Sequence, residues 1–172
     1  IVELCSLGHA IICADESGAC LLFSSRSDSL VTRLCVLTDI SPVKFDSEEG
    51  FTRYYFNNPK RKLVFIGVDA KQDIMAVFED KKGLIVAFSK NKQYRFPDKF
   101  FKKAFYLEQN FGGILTTDGT LYCTTNSKPM VQVTKKRVQD MCMYDTCLVT
   151  IIAGEPPSHP SFAVFDSELK PL

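Results

Sequence analysis

The stretch FGGILTTDGTLYCTT, residues 111–125, has the sequence signature of a β-hairpin. Apolar and β-branched residues, which favour extended strands, flank the pair Asp118-Gly119 on both sides. Asp-Gly is a strong signal for a tight turn, because both residues tolerate positive φ. Two other turns of similar composition, DESG at 15–18 and DKKG at 80–83, lie between comparable runs. The hairpin is therefore predicted to be one copy of a repeated unit.

Each hairpin is accompanied by two further strand-like runs, one before it and one after it. Around the third hairpin these runs are residues 103–107 and 130–134, and the glycines Gly83 and Gly119 of successive copies are 36 residues apart. A fourth copy with a Pro-rich loop in place of the tight turn is predicted from the runs 138–144, 147–153, 161–165 and 169–172. Four short strands in each such period are typical of a β-propeller blade.

The sequence predicts an all-β protein of repeated four-stranded antiparallel sheets, a partial or small β-propeller, with a β-sandwich or barrel as the alternative. The best helix candidate, residues 97–108, fits a strand at least as well. We expect one β-repeat domain or propeller fragment over residues 1–172, with the rest of the ring, or a partner, outside this chain. Its predicted blades are 1–37, 62–97, 101–134 and 137–172, with an insertion at 38–61 that holds a strand at 51–56 in a polar surface loop.

The composition excludes a strong global preference for polyanions. The chain has 172 residues with 21 Lys and Arg against 20 Asp and Glu, so any attraction must come from local patches. No apolar run approaches the roughly 18 residues of a membrane span, and we expect none. The seven cysteines lie in or beside apolar runs without a Cys-x-x-Cys pair. They are predicted to be reduced core residues of an intracellular protein, cytoplasmic or nuclear.

Residues suited to catalysis are few. The two histidines are His9 and His159, and the cysteines nearest to His9, Cys13 and Cys20, have no neighbouring group that would lower a thiol pKa. Sequence motifs for phosphate cradles, nucleophile elbows and metalloproteases do not occur. We therefore predict that the chain is not an enzyme and has no catalytic residue, metal site or cofactor.

Short basic clusters form the main candidate binding feature. In a four-stranded meander, the loop that enters the first strand and the loop that joins the second and third strands emerge at the same edge. The clusters fall in these loops and comprise Lys60, Arg61, Lys62, Lys81, Lys82, Lys102, Lys103, Lys135, Lys136 and Arg137. We predict that they gather on one face and bind an acidic or phosphate-bearing partner or nucleic acid. The alternative is ordinary solvated loop charge.

Two copies, IVELCSLGHAIICADESGACLLFSS at 1–25 and FKKAFYLEQNFGGILTTDGTLYCTT at 101–125, resemble repeats of the RCC1-like propeller family. Residues Gly8, His9, Asp118, Gly119 and Tyr122 occupy the positions of the family pattern. The chain lacks Trp, and Ser24 and Thr124 stand where the family usually has Gly, so WD40-type propellers remain open. The resemblance implies a propeller that presents loops to other proteins.

The expected function is that of a non-enzymatic protein–protein interaction module or scaffold within a larger protein or complex, with acidic proteins as candidate partners. A first alternative is a nucleic-acid-binding subunit that uses a basic rim. A second alternative, implied only by the family resemblance, is an RCC1-like guanine-nucleotide exchange factor, whose activity would depend on loops that the sequence does not locate.

Overall fold

The fold is given by a computed structural model. It describes the backbone of residues 3–7, 10–14, 20–24, 43–48, 51–56, 61–71, 73–89, 92–107, 111–155 and 158–172, and the side chains of those from residue 61 onward. These residues form 16 β-strands and no helix. The chain divides into two compact units, Ile1–Asp98 and Lys99–Leu172.

The first unit contains nine strands in two antiparallel sheets. The first sheet has the order β1-β2-β3-β5-β4 and comprises β1 (Glu3–Leu7), β2 (Ala10–Ala14), β3 (Cys20–Ser24), β4 (Val43–Glu48) and β5 (Phe51–Phe56). The second sheet runs in chain order through β6 (Lys62–Val68), β7 (Ile74–Asp80), β8 (Gly83–Phe88) and β9 (Lys92–Pro97).

The segment predicted as an insertion contributes a hairpin to the first sheet. The predicted strand at 51–56 is confirmed as β5, and β5 pairs antiparallel with β3. The prediction of a polar loop around it is wrong at β4, which pairs with β5. The residues VKFDSE of β4 read as a loop because Asp and Ser are poor strand formers, yet Val43 and Phe45 alternate with polar residues as a strand requires. The run 31–37, expected as the fourth strand of this copy, lies outside the described residues.

The central strands of the second sheet are buried on both faces. Residues 74–78 of β7 and all of β8 are buried. Successive side chains of a strand point to opposite faces, so this pattern requires that both faces be covered. The edge strand β9 is mostly exposed, and its Tyr94 makes an edge-on contact with Phe88 at 6.1 Å between ring centroids.

The second unit contains seven strands in two further antiparallel sheets, both in chain order. The third sheet comprises β10 (Phe101–Tyr106), β11 (Gly112–Thr116), β12 (Leu121–Thr124) and β13 (Val131–Gln132), and the fourth comprises β14 (Val138–Tyr144), β15 (Cys147–Ile152) and β16 (Ser161–Phe165). The strand expected at 169–172 is reduced to one bridge, Phe165 to Pro171, because proline has no N–H to donate to a ladder.

The third and fourth sheets share one apolar core. The third sheet contributes Leu115, Leu121 and Cys123, and Phe111 lies directly before its strand β11. The fourth sheet contributes Val138, Met141, Leu148, Ile152 and Phe165. Full burial of one Val, Leu, Ile, Phe or Met side chain contributes about 1.5–3 kcal/mol to the free energy of unfolding. The ring of Phe105 adds an edge-on contact with Phe111 at 5.2 Å. This core holds the two sheets of the second unit together.

The cysteine prediction is right at one described position and wrong at another. Cys123 is buried, and burial raises the pKa of its thiol. Cys142 is exposed and Cys147 is half-buried, and all three are free thiols. Cys142 follows Met141, which points into the core, and the alternation of β14 places the thiol on the opposite face. A position next to apolar residues in sequence does not fix the face.

The prediction of an all-β protein with repeated antiparallel sheets is confirmed, and none of the described sheets closes on itself. The count of four strands holds for the second and third sheets, whereas the first has five and the fourth has three. The arrangement of the sheets around a propeller axis, and the single domain with its blade boundaries, stay predictions.

Candidate functional site

The turn between β11 and β12, residues 117–120, is organised by the carboxylate of Asp118. Its Oδ1 accepts hydrogen bonds from the N–H of Thr120 at 3.1 Å and from the hydroxyl of Thr120 at 2.8 Å. The hydroxyl of Thr116 also donates to it, and Lys99 forms an ion pair with the other oxygen. The bonds from Lys99 and Thr116 hold the pKa of Asp118 well below its ordinary value, so the side chain is ionised. We call residues 117–120 the Asp118 turn.

The Asp118 turn touches the start of β14 in the neighbouring sheet. The N–H of Val138 donates to the carbonyl oxygen of Gly119 at 2.8 Å. Gly119 has a φ of +85°, and a Cβ at this position would fall on the side-chain stem of Arg137. The stem of Arg137 therefore packs over the glycine, while the residue as a whole stays exposed. A turn of the third sheet and the entry to the fourth sheet thus form one edge.

The first residues of β10 reach the same edge. The ammonium group of Lys102 donates to the carbonyl oxygen of Gln139 at 2.5 Å, and that of Lys103 forms an ion pair with Asp140 at 3.2 Å. The pKa of Asp140 is lowered by the hydrogen bond from the N–H of Met141 and then by Lys103. The predicted clusters at 102–103 and 135–137 are thus brought together within the second unit.

We call this set of cationic residues the basic edge. It comprises Lys99, Lys102, Lys103, Lys135, Lys136 and Arg137. The carboxylates of Asp118 and Asp140 neutralise Lys99 and Lys103. The described contacts therefore give the basic edge six cations against two carboxylates.

Three cations of the basic edge stand apart from the others. Lys135, Lys136 and Arg137 are exposed, and none of the described carboxylates forms an ion pair with them. The N–H of Lys136 donates to the hydroxyl of Thr134 at 3.1 Å, and the carbonyl oxygen of Arg137 accepts a hydrogen bond from the N–H of Ala153 at 2.8 Å. These side chains are available to a partner at no cost of breaking an ion pair with the described carboxylates.

The predicted basic residues of the first unit lie at one end of the second sheet. Arg61 and Lys62 are half-buried at the start of β6, and Lys81 and Lys82 are exposed in the turn between β7 and β8. The register places Lys62 opposite Glu79, so the start of β6 and this turn share an end of the sheet. Lys60 lies outside the described residues. That all ten predicted residues share one face stays a prediction.

Two residues at this edge of the second unit are not among the ten basic residues that were predicted as the site. Lys99 pairs with the Asp118 turn, and Phe100, which is 41% exposed, accepts a hydrogen bond at its carbonyl oxygen from the N–H of Thr117 at 2.9 Å. Lys99 precedes β10 as Arg61 precedes β6. Lys99 therefore lies in a loop of the kind in which basic clusters were sought. It was not selected, because a single lysine does not form a cluster.

Other candidate chemistry is sparse in the described part of the chain. His159 is exposed, and His9 lies outside the described residues. Within the ranges given above, no group of three or more His, Cys, Asp or Glu side chains could hold a metal ion. A helix long and apolar enough to cross a membrane is likewise not found among those residues.

No model of a known protein family matches the chain, and a search of curated proteins gives no match. The RCC1-like resemblance therefore stays a prediction, and inferences about function depend on the geometry of the basic edge.

Proposed function

We propose that the chain is a non-enzymatic protein–protein interaction module, built from propeller-type blades, that binds its partner through the basic edge. Two observations support the blades. The second, third and fourth sheets follow chain order, without a strand that crosses between sheets. Strands β7, β8 and β11 are buried on nearly all positions, whereas an antiparallel sandwich exposes one face of each sheet.

The observation that carries the binding role is the composition of the basic edge. Three exposed cations without described ion-pair partners lie at the edge that also holds the Asp118 turn and the partly exposed ring of Phe100. Arginine and aromatic residues are enriched in protein interfaces and dominate their binding energy. Arg137 directly precedes β14 and its carbonyl oxygen is hydrogen-bonded to Ala153, which limits the entropy lost when it binds.

Site-specific photocrosslinking tests this role. A benzoylphenylalanine that replaces Phe100 should crosslink a defined protein in a native lysate, and the crosslink should disappear when Lys135, Lys136 and Arg137 are replaced by Glu. The matched control places the same crosslinker at Val131, which is 40% exposed on the edge strand β13. Crosslinks of equal strength and identity from both positions would contradict a binding role for the basic edge.

A nucleic-acid-binding role is the second candidate, because cations beside an exposed aromatic ring also suit single-stranded nucleic acid. It predicts retention on DNA or RNA that falls steeply with salt concentration. Flat and weak retention would exclude it.

We propose an intracellular location on the basis of the thiols. Cys123, Cys142 and Cys147 are free, and Cys142 is exposed. An exposed free thiol is stable in the reducing cytosol and nucleus and is prone to pairing in oxidising compartments.

A further inference from the structure

We infer that the partner segment bound by the basic edge is a short acidic peptide, with two or three Asp or Glu side chains, and that Lys135, Lys136 and Arg137 contact its carboxylates. This inference rests on the proposed function. The inference goes beyond the proposed function because it names the chemistry of the partner. It also names the three residues, out of the ten predicted from the sequence, that contact the partner in the second unit.

The choice of residues follows from the ion pairs of the basic edge. Lys99 and Lys103 are held by Asp118 and Asp140, so a ligand carboxylate would compete with a carboxylate that is already in place. Lys102 donates to the carbonyl oxygen of Gln139. Lys135, Lys136 and Arg137 have no such partner among the described residues and face no such competition.

The geometry of Arg137 suits recognition of a carboxylate. Its carbonyl oxygen accepts a hydrogen bond from the N–H of Ala153, and the N–H of Val138 in the same peptide unit donates to Gly119, so the peptide unit that follows Arg137 is held at both of its polar groups. Its stem packs over Gly119. A guanidinium group can bind a carboxylate through two parallel hydrogen bonds, and a fixed stem reduces the entropy lost in doing so.

The carboxylates of the basic edge favour a peptide over a nucleic acid. Asp118 and Asp140 lie among the six cations. A nucleic acid carries a charge on every phosphate and meets repulsion at each of these carboxylates. A peptide can place a neutral or basic residue opposite them and its own carboxylates opposite Lys135, Lys136 and Arg137.

Fluorescence anisotropy with defined probes tests the inference. The probes are labelled peptides with a run of Glu, the matching run of Gln or a run of phosphoserine, and a labelled single-stranded oligothymidylate. We expect the Glu peptide to bind the wild-type chain and the Gln peptide to bind at least tenfold more weakly. Replacement of Lys135, Lys136 and Arg137 by Glu should weaken binding of the Glu peptide about tenfold or more, since each exposed ion pair contributes modestly.

The matched control has the same change in charge at three exposed cations that are not part of the basic edge. Replacement of exposed Lys92, Arg95 and Lys170 by Glu also shifts the formal net charge from +1 to −5, by −2 at each position. We expect the Glu peptide to retain most of its affinity for this variant. Equal losses in both triple variants would show a general charge effect and overturn the inference. The double variant Lys135→Glu with Lys136→Glu keeps Arg137 on Gly119, so it tests binding with that packing intact.

The remaining outcomes separate this inference from the proposed function. If the Glu peptide does not bind while the Phe100 crosslink to a protein persists, the acidic partner is wrong and the interaction module stands. If the phosphoserine peptide alone binds, the acidic Asp or Glu segment is likewise wrong. Tight binding of the oligothymidylate with a steep salt dependence would overturn both.

Discussion

Two turns of the molecule share a sequence signature but differ in their surroundings. The turn between β7 and β8 and the Asp118 turn each contain an Asp that is followed by a Gly of positive φ: Asp80 by Gly83, with a φ of +135°, and Asp118 by Gly119, with a φ of +85°. In the first, Asp80 accepts hydrogen bonds from the N–H groups of Lys82 at 2.7 Å and Gly83 at 3.1 Å. In the second, Asp118 also binds side chains, those of Thr116, Thr120 and Lys99.

The difference between the glycines has a structural consequence. A Cβ on Gly83 would meet the backbone of its own sheet, at the carbonyl oxygen of Phe96 and at 2.9 Å from the nitrogen of Asp98. A Cβ on Gly119 would meet the flexible side chain of Arg137 first, with the carbonyl oxygen of Val138 farther away at 3.0 Å. The first turn therefore secures β9 within one sheet, whereas the second links two sheets and positions the basic edge. Two turns of similar sequence therefore have different roles in the tertiary structure.

The largest effect on stability is expected from the substitution Gly83→Ala. It combines a positive φ with a backbone that cannot move without displacing β9, and we expect a loss of about 3 kcal/mol or more in the free energy of unfolding. Urea denaturation monitored by circular dichroism measures the loss. Ser89→Ala, at a half-buried position at the other end of β8, is a control for general sensitivity of this sheet. If Gly83→Ala lowered the free energy of unfolding by less than Gly119→Ala does, the comparison of the two turns would be contradicted.

The substitution Gly119→Ala should cost less, about 1–2 kcal/mol, because the strain of a positive φ remains but Arg137 can move aside. The double variant Gly119→Ala with Arg137→Ala should recover the part of the loss that is due to the clash. The test is the free energy of unfolding of the single and double variants, and strict additivity of the two changes would show that the contact between Gly119 and Arg137 does not exist.

Removal of the Asp118 side chain should destabilise the chain more than removal of the Asp80 side chain, because Asp118 also accepts hydrogen bonds from side chains. Asp118→Ala removes bonds from Thr116, Thr120 and Lys99 and should cost roughly 1–2 kcal/mol, whereas Asp80→Ala removes two bonds from backbone N–H groups and should cost roughly 1 kcal/mol. Unfolding in urea gives both values. A double-mutant cycle between Asp118 and Lys99 should find a coupling of about 0–1 kcal/mol, since both side chains are partly exposed.

Acid should weaken the Asp118 turn. Because the pKa of Asp118 is lowered in the folded state, the stabilisation is fully present above the unfolded value, about 3.9, and is lost as pH falls through the folded pKa. The stability of the wild-type chain should therefore fall more steeply below about pH 4 than that of Asp118→Asn. Urea midpoints of both chains, measured from neutral pH down to about pH 3, provide the test. Parallel curves would show that Asp118 is not held ionised in the folded chain.

The smallest effect on stability is expected from the residues that we assign to binding. Lys135 and Lys136 are exposed and have no described ion-pair partner, so Lys135→Glu and Lys136→Glu should each change the free energy of unfolding by less than about 0.5 kcal/mol. Thermal denaturation of these variants beside the wild-type chain checks this. A large destabilisation would mean that these lysines stabilise the fold, and binding losses in the charge-reversal variant could not then be assigned to direct contact.

Local periodicity predicted most of the strands but not all of their partners. Strands β5, β14 and β16 were predicted with the bounds that they have, and Asp118-Gly119 was predicted as the turn, because alternation and turn chemistry are encoded within a few residues. The pairing of β5 with β3 was missed, since the choice of neighbour depends on contacts between distant segments. The outward direction of Cys142 was missed for the same reason, because register and not composition fixes the face.

The candidate site was predicted in part. Five of its cations, among them Lys102 and Arg137, were selected from their position relative to the strands. The ion pair of Lys103 with Asp140 and the packing of Arg137 on Gly119 could not be predicted, because they join residues of different sheets. These contacts decide which of the cations stay available to a partner.

Titration of the isotopically labelled chain with the Glu peptide, followed by amide NMR, tests the basic edge most directly. We predict that the largest chemical-shift changes fall on residues 135–138 and on Gly119, with smaller changes at Lys99 and Lys103. Gly119 is included because its carbonyl oxygen accepts a hydrogen bond from the N–H of Val138. Changes spread evenly over exposed lysines such as Lys92 and Lys170, or concentrated away from residues 135–138, would contradict a binding role for the basic edge.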